Sequence, residues 1–101
     1  MGEILLKVHD SYRYVVAICD KELYGQKFEE ENRQLDLTGP FFKGEEMTTQ
    51  EVKEEIARHT LEDASFNIIG EKSIKVAVES GIVLKSGVGH IKGIPFALVL
   101  L

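Results

Sequence analysis

Residues 3–10 read EILLKVHD, and residues 14–19 read YVVAIC after a short polar turn. In the first stretch Ile4, Leu6 and Val8 occupy alternate positions, which predicts a half-buried β-strand with one apolar face. The second stretch is apolar throughout and predicts a central strand that is buried on both faces. Because polar turn residues join the two, we expect an antiparallel hairpin that begins a sheet.

The segment between this hairpin and the first helix has a weaker pattern. Residues 20–32 are polar and acidic, and we expect an irregular segment or a short helical turn laid over the core. The run Glu29–Glu31 inside this segment predicts a solvated loop. Residues 33–38 alternate again and predict another strand. Residues 43–46 predict an exposed turn.

Two helices are predicted in the second half of the chain. Thr48 and Glu51 have the spacing of a capping box, so a helix should run from about residue 49 to residue 59. Gly70 and Glu71 should open a second helix. The expected inner residues are Val52, Ile56 and His59 in the first helix, and Ile74, Ala77 and Val78 in the second. We expect His59 to be a C-terminal capping cation or a half-buried packing residue.

The C-terminal segment returns to the sheet. Gly81 is a natural terminator for the second helix. Residues 82–84 are expected to extend into a short strand, residues 86–93 to form a glycine-rich loop, and residues 94–101 to form a buried final strand. Strands come first and helices later, which favours an α+β fold. We therefore expect one domain over residues 1–101, with a mixed or mainly antiparallel sheet packed by two helices.

Composition restricts the class of protein. The 101 residues carry 17 acidic and 12 basic side chains, a net charge of -5, and 44% are hydrophobic. This is the composition of a globular domain, and no apolar run is long enough to cross a membrane. The single cysteine and the absence of a signal-peptide pattern favour a cytoplasmic protein. An acidic chain repels phosphate at long range, although residues 66–101 alone carry a net charge of +2.

Cys19 is the most obvious candidate for covalent chemistry. A nucleophilic thiol needs a nearby cation or imidazole that lowers its pKa, whereas the neighbour of Cys19 in the sequence is Asp20. A buried structural thiol is therefore the favoured interpretation, and we assign no catalytic residue. The histidines and Cys19 lack the spacing of a metal site, so we expect no metal and no cofactor.

The glycine-rich segment 87–93 invites comparison with phosphate-binding loops. Its spacing matches neither the dinucleotide-binding nor the Walker pattern, and Pro95 follows where a helix should begin. A turned connection is the favoured interpretation. An anion or RNA contact stays open, and its candidate residues are Lys75, Lys85, His90 and Lys92.

Four segments resemble the archaeal family known as domain of unknown function 424. They are Cys19-Asp-Lys-Glu-Leu-Tyr-Gly-Gln-Lys-Phe28, Phe41-Phe-Lys-Gly-Glu45, Phe66-Asn-Ile-Ile-Gly-Glu-Lys-Ser-Ile74 and Gly93-Ile-Pro-Phe-Ala97. Together they span nearly the whole chain in the family's order. Members often carry His and Gln where Phe96 and Leu98 stand here, which puts a ligand site on that strand in doubt.

The resemblance implies a small, stand-alone, cytosolic archaeal protein with no known reaction. Members are often encoded near genes for translation initiation, so the resemblance implies a link to translation or RNA metabolism. The matching segments also suggest a binding surface beside the start of the second helix. Its candidate residues are Asp20, Glu22, Lys27, Asn67 and Lys72. The same residues can be purely structural, with Asp20 capping the chain that leaves its strand.

Three functions stay open at this point. The first is a non-enzymatic binding module that contacts RNA or a ribosome-associated protein. The second is a protein-interaction module, including a homodimer in which the final strand pairs at a sheet edge. The third and weakest is a small enzyme that uses Cys19, Asp20 and a histidine.

Overall fold

The predicted hairpin lies at the centre of a six-stranded sheet in the computed structural model, which describes residues 2–10 and 12–100. The strands are β1 (Ile4–Asp10), β2 (Tyr14–Asp20), β3 (Lys27–Glu30), β4 (Arg33–Asp36), β5 (Glu45–Met47), β6 (Ser65–Ile69), β7 (Gly89–Ile91) and β8 (Ile94–Val99). The helices are α1 (Thr49–Thr60) and α2 (Glu71–Glu79). Short 3-10 turns cover Lys21–Leu23, Pro40–Phe42 and Lys85–Gly87.

The sheet has the order β5-β1-β2-β6-β8-β7. Strands β2 and β6 pair in parallel, and the other neighbouring strands of this sheet pair antiparallel. Strands β3 and β4 form a separate two-stranded ribbon. The structure thus confirms the α+β fold with a mixed, mainly antiparallel sheet and two helices.

The two faces of the sheet are covered differently. On the helix face, α1 packs on β1 and β5, while α2 packs on β2, β6 and β8. Phe66 and Ile68 lie in the core on this side. The opposite face, which we call the ribbon face, packs against the β3–β4 ribbon and the turn at Pro40–Phe42. A second cluster lies there, and it includes Cys19 and Ile69.

Helix α1 begins as its sequence predicts. The Thr48 hydroxyl accepts a hydrogen bond from the Glu51 backbone N–H at 3.2 Å, and the Glu51 carboxylate accepts one from the Thr48 N–H at 2.9 Å. The predicted inner residues Val52, Ile56 and His59 are all buried. The His59 ring lies between the carboxylates of Glu55 and Glu62, with Nδ1 at 2.6 Å from Glu62.

Helix α2 is also confirmed, with one change in its buried face. Ile74 and Ala77 are buried as predicted, whereas Val78 is half-buried and Val76 is buried instead. The helix packs against the sheet on one side and against α1 beside it, so it buries a wider stripe than one face. Gly81 terminates it at φ +81°, the left-handed conformation that favours glycine.

Four predictions about short segments were wrong. Residues 27–30, 45–47 and 89–91 are strands rather than an irregular segment, an exposed turn and a loop, and residues 82–84 do not form a strand. The three missed strands hold three or four residues each and pair along one side only. Such short edge strands carry too few residues to show a period of two. Glu29 and Glu30 therefore lie on β3, and only Glu31 belongs to the turn.

The parallel pair β2–β6 gives the sheet two distinct ends. We call the end where both strands finish, at Asp20 and Ile69, the closed end. We call the end where both strands begin, at Tyr14 and Ser65, the open end. Strands β1 and β8 run the opposite way and therefore finish at the open end.

Candidate functional site

The Asp20 carboxylate caps the N-terminus of α2 at the closed end. Oδ1 accepts hydrogen bonds from the Ser73 N–H at 2.9 Å and the Ser73 hydroxyl at 2.8 Å, and Oδ2 accepts one from the Lys72 N–H at 3.1 Å. Asp20 is only 2% exposed. A helix N-terminus attracts an anion, and here the chain supplies that anion itself. Asp20 thus caps a helix distant in sequence and not the chain that leaves its own strand.

Gly70 is required for this approach. It has φ +116°, and a Cβ atom at this position would lie 2.3 Å from the Asp20 Cγ. Its N–H donates to the Pro95 carbonyl oxygen at 2.9 Å, which ties the start of α2 to β8. Any larger residue would push the carboxylate away from the helix.

The predicted residue Lys72 forms an exposed ion-pair cluster above this cap. Its ammonium lies 3.3 Å from the Glu3 carboxylate and 3.6 Å from that of Glu22. The hydrogen bond with Glu3, reinforced by the charges of Glu22 and Asp20, raises the pKa of Lys72. Nearby, Lys21 pairs with Glu46 at 3.0 Å. The cluster combines two lysines with three glutamates, so its opposite charges largely compensate one another within the chain.

The five predicted surface residues do not form one site. Asp20, Glu22 and Lys72 lie together at the closed end. Lys27 lies on the separate ribbon, opposite Asp36. Asn67 points to the ribbon face between Ala17 and Leu98, whereas Asp20 points to the helix face.

Cys19 is a buried thiol on the ribbon face. Burial, with a smaller contribution from the charge of Asp20, raises the pKa of Cys19 from 9.0 to about 12. Such a thiol stays protonated at neutral pH and is a poor nucleophile. Within residues 2–10 and 12–100, no group of three or more His, Cys, Asp and Glu side chains is arranged to hold a metal ion.

Three of the four predicted anion contacts line one groove. The groove lies between α2 and the β7–β8 hairpin, has a volume of about 660 Å³, and includes Lys75, Lys85 and His90 among its lining residues. Ile74, Val78, Val88 and Pro95 form its apolar part. Lys92 lies instead in the tight turn of the hairpin, where its N–H donates to Glu30 Oε1 at 3.0 Å.

The open end exposes large apolar side chains. Tyr12 is 97% exposed, Leu61 88%, Leu98 57% and Leu100 73%. Phe41 is 39% exposed and stacks on His9, the penultimate residue of β1, with ring centroids 4.5 Å apart. Among the described residues these are five of six exposed large apolar side chains, and the sixth, Leu84, follows α2. The expectation that residues 94–101 are buried is therefore wrong for Leu98 and Leu100.

Strand β8 is paired along only part of its outer edge. The β7–β8 ladder begins at Ile91 and Ile94 and ends at Gly89 and Phe96. In an antiparallel ladder every second residue points its N–H and C=O toward the same neighbour. By this alternation Leu98 presents its N–H and C=O groups outward, and the same alternation continued one step past β8 turns those of Leu100 outward. No ladder partner for them lies within the described ranges, 2–10 and 12–100.

Sequence reasoning missed these residues for two different reasons. Leu98 and Leu100 belong to a segment that is apolar throughout, so no alternation marks which residues face water. Tyr12 and Leu61 did carry a signal, because each is an isolated large apolar residue in a polar connection.

Neither of the two helices is long and apolar enough to span a membrane, as far as the described ranges extend.

Comparisons with known proteins agree with the resemblance in the sequence. The model of the family DUF424, described as a protein of unknown function, matches residues 9–101. A crystal structure of an uncharacterized conserved protein from Methanopyrus kandleri is similar over 95% of this chain and 89% of that chain. It has a TM-score of 0.86 and 25% sequence identity. The comparison with curated proteins gave no match.

Proposed function

The chain belongs to the DUF424 family, and we propose that it is a non-enzymatic protein-interaction module that forms a homodimer through its open end. The observation that carries this proposal is the concentration of exposed apolar side chains there, with Leu98 and Leu100 beside an unpaired strand edge. Exposed apolar patches are a common mark of protein contact surfaces. A cytosolic setting, in which Cys19 stays reduced, is part of the proposal.

Unpaired backbone lies at β5 on one side of the sheet and, on the other side, at the part of β8 beyond the β7 ladder; the side chains favour pairing at β8. Strand β5 carries Glu45 and Glu46, and charged side chains on a short strand discourage pairing with another chain. The C-terminal half of β8 and the residue that follows it, residues 97–100, carry Leu98 and Leu100 and no charge. If two copies pair antiparallel about a two-fold axis, the outward groups of Leu98 and Leu100 find backbone partners. The leucines of each copy then become cross-strand neighbours on one face.

A role as an enzyme has less support. The Cys19 thiol is buried and protonated, and Asp20 is used in holding α2. A catalytic pair needs a nucleophile within hydrogen-bond reach of a base. The Asp20 carboxylate instead accepts its hydrogen bonds from Lys72 and Ser73.

The molar mass in solution tests the homodimer. We expect light scattering to give twice the 11.3 kDa mass of one chain, and the double variant Leu98→Lys/Leu100→Lys to give the mass of one. A control, Glu3→Gln/Glu22→Gln, changes the net charge by the same amount at the closed end and should remain a dimer. A wild-type protein that is monomeric at every concentration would contradict the homodimer.

Direct RNA binding is a second candidate, supported by the convergence of Lys75, Lys85 and His90 on one groove. The acidic net charge opposes it, and among the described lining residues the His90 imidazole is the one ring on which a base could stack, without a Phe, Tyr or Trp beside it. Pull-down from a cytosolic extract with and without nuclease separates the two candidates. Ribosome-associated proteins retained after nuclease treatment would favour a protein partner in translation, whereas partners lost with the RNA would favour RNA.

A further inference from the structure

The helix layer leaves one edge of the sheet uncovered. Neighbouring strands lie about 4.8 Å apart, so six strands span about 24 Å. Two helices, each about 10 Å across, cover only about 20 Å of that width. Since α1 lies over β5 and β1, and α2 lies over β2, β6 and β8, the strand left without a helix over it is β7, at the edge of the β7–β8 hairpin. The groove of about 660 Å³ occupies this place.

One side of the groove is a continuous stripe of α2. Residues 71, 74, 75, 78 and 79 line it, and these positions are three, four, seven and eight residues from the first. This is the spacing by which one helix presents a face to another helix. The stripe is about 12 Å long, which is the length of about two turns. Val88 and Pro95 from the hairpin side complete a trough of the shape that a third helix would fill.

The charges on the rim favour an acidic occupant. Glu79 is paired with Lys53 at 3.2 Å, so its charge is largely compensated. Within residues 2–10 and 12–100, no carboxylate lies within 4.0 Å of the Lys75 or Lys85 ammonium group. His90 adds an exposed imidazole on the hairpin side. Two acids are among the described lining residues, and since Glu79 is paired, Glu71 is the one whose charge is not compensated by an ion pair.

We propose that this groove binds an acidic amphipathic helix of a partner protein. The apolar side of that helix would pack on Ile74, Val78 and Val88, with Asp or Glu side chains next to Lys75 and Lys85. Helix-in-groove recognition reads apolar anchors spaced by three or four residues, and opposite charges at the rim select the partner. The site lies on the helix face beside α2, so it does not depend on the proposed homodimer.

A selection from a phage-displayed library of random peptides tests the proposal. The wild-type protein serves as bait, and peptides that also bind Val78→Glu are removed. We expect enriched peptides to carry Leu or Ile at positions i, i+3 or i+4, and i+7, flanked by Asp and Glu. Enrichment of basic peptides, or the absence of any peptide that distinguishes the two baits, would overturn the proposal.

The affinities of the enriched peptides then test the rim charges without changing the apolar floor. In Lys75→Glu/Lys85→Glu the dissociation constant should rise about tenfold or more, and added salt should weaken the wild-type complex. The control Lys7→Glu/Lys43→Glu makes the same charge change at exposed lysines outside the groove and should bind as the wild type does. Equal affinity of both double variants would overturn the proposal. So would a uridine oligomer that binds the groove more tightly than the peptides.

Discussion

At the closed end the Asp20 carboxylate is buried and accepts three hydrogen bonds from the start of α2, whereas at the open end Tyr12, Leu98 and Leu100 expose large apolar surfaces. The ends of parallel strands, next to helix N-termini, are the common place for ligands in proteins with such sheets. Here the chain's own carboxylate occupies that place. The comparison teaches that a polar cluster at a helix N-terminus can be structural while the exposed apolar surface lies at the opposite end.

The largest effect should follow from removal of the Asp20 carboxylate. Asp20→Ala removes the acceptor of the buried Ser73 hydroxyl and N–H and of the half-buried Lys72 N–H, so the free energy of unfolding should fall by about 3 kcal/mol. Ser73→Ala removes one of the three hydrogen bonds and should lower it by about 1 kcal/mol. Urea unfolding followed by circular dichroism measures both. If Asp20→Ala lowered the free energy of unfolding by less than about 1 kcal/mol, the closed end would tolerate substitution as well as an exposed surface does, which would contradict a structural role for Asp20.

The buried thiol next to this cap predicts a pH dependence of stability. The pKa of Cys19 is raised in the folded protein from 9.0 to about 12, so the unfolded chain loses this proton at lower pH. The contribution is therefore fully present below about pH 9 and is lost as the pH rises toward 12. Unfolding midpoints measured across this range should fall less in Cys19→Ala than in the wild type. Identical pH profiles would contradict the assignment of a buried, protonated thiol.

A smaller effect is expected at the N-terminus of α1, whose cap is local in sequence. Thr48→Ala removes the side-chain oxygen that accepts from the Glu51 N–H, and the free energy of unfolding should fall by about 1 kcal/mol. Thermal or urea unfolding measures this value against that of Asp20→Ala. If Thr48→Ala cost as much as Asp20→Ala, burial of the carboxylate would not explain the strength of the closed end.

The smallest effect on monomer stability is expected at the open end. Leu98→Lys/Leu100→Lys changes exposed side chains, so the free energy of unfolding of the monomer should change by less than about 0.5 kcal/mol. The measurement is urea unfolding at a protein concentration low enough that the wild type is also monomeric. A loss of several kcal/mol would mean that the leucines hold the fold and are not free for a partner.

The sequence was sufficient for the elements whose signals are local. The alternation in residues 3–10 and the capping box at Thr48 and Glu51 predicted β1 and α1 correctly. The contact of Asp20 with Ser73 joins residues 53 positions apart, and no local pattern contains it. The short strands at the edges were missed because three or four residues do not establish a period.

The candidate site was predicted only in part, for a similar reason. Lys75, Lys85 and His90 were chosen from the sequence, and their convergence on one groove depends on the packing of α2 beside the β7–β8 hairpin. Asn67 was placed with Asp20, although the two point to opposite faces of the sheet. The unpaired backbone edge at Leu98 follows from where the β7–β8 ladder stops, at the pair Gly89 and Phe96, which is a property of pairing rather than of β8 itself.

Hydrogen exchange of the backbone amides of Leu98 and Leu100, followed at increasing protein concentration, tests the central claim most directly. If β8 pairs with a second copy, these amides should become protected as the concentration rises. The amides of Lys72 and Ser73, which bond to Asp20 within one chain, should show the same protection at every concentration and serve as the internal reference. Rapid exchange at Leu98 and Leu100 that does not change with concentration would contradict the assignment of the open end as the dimer contact.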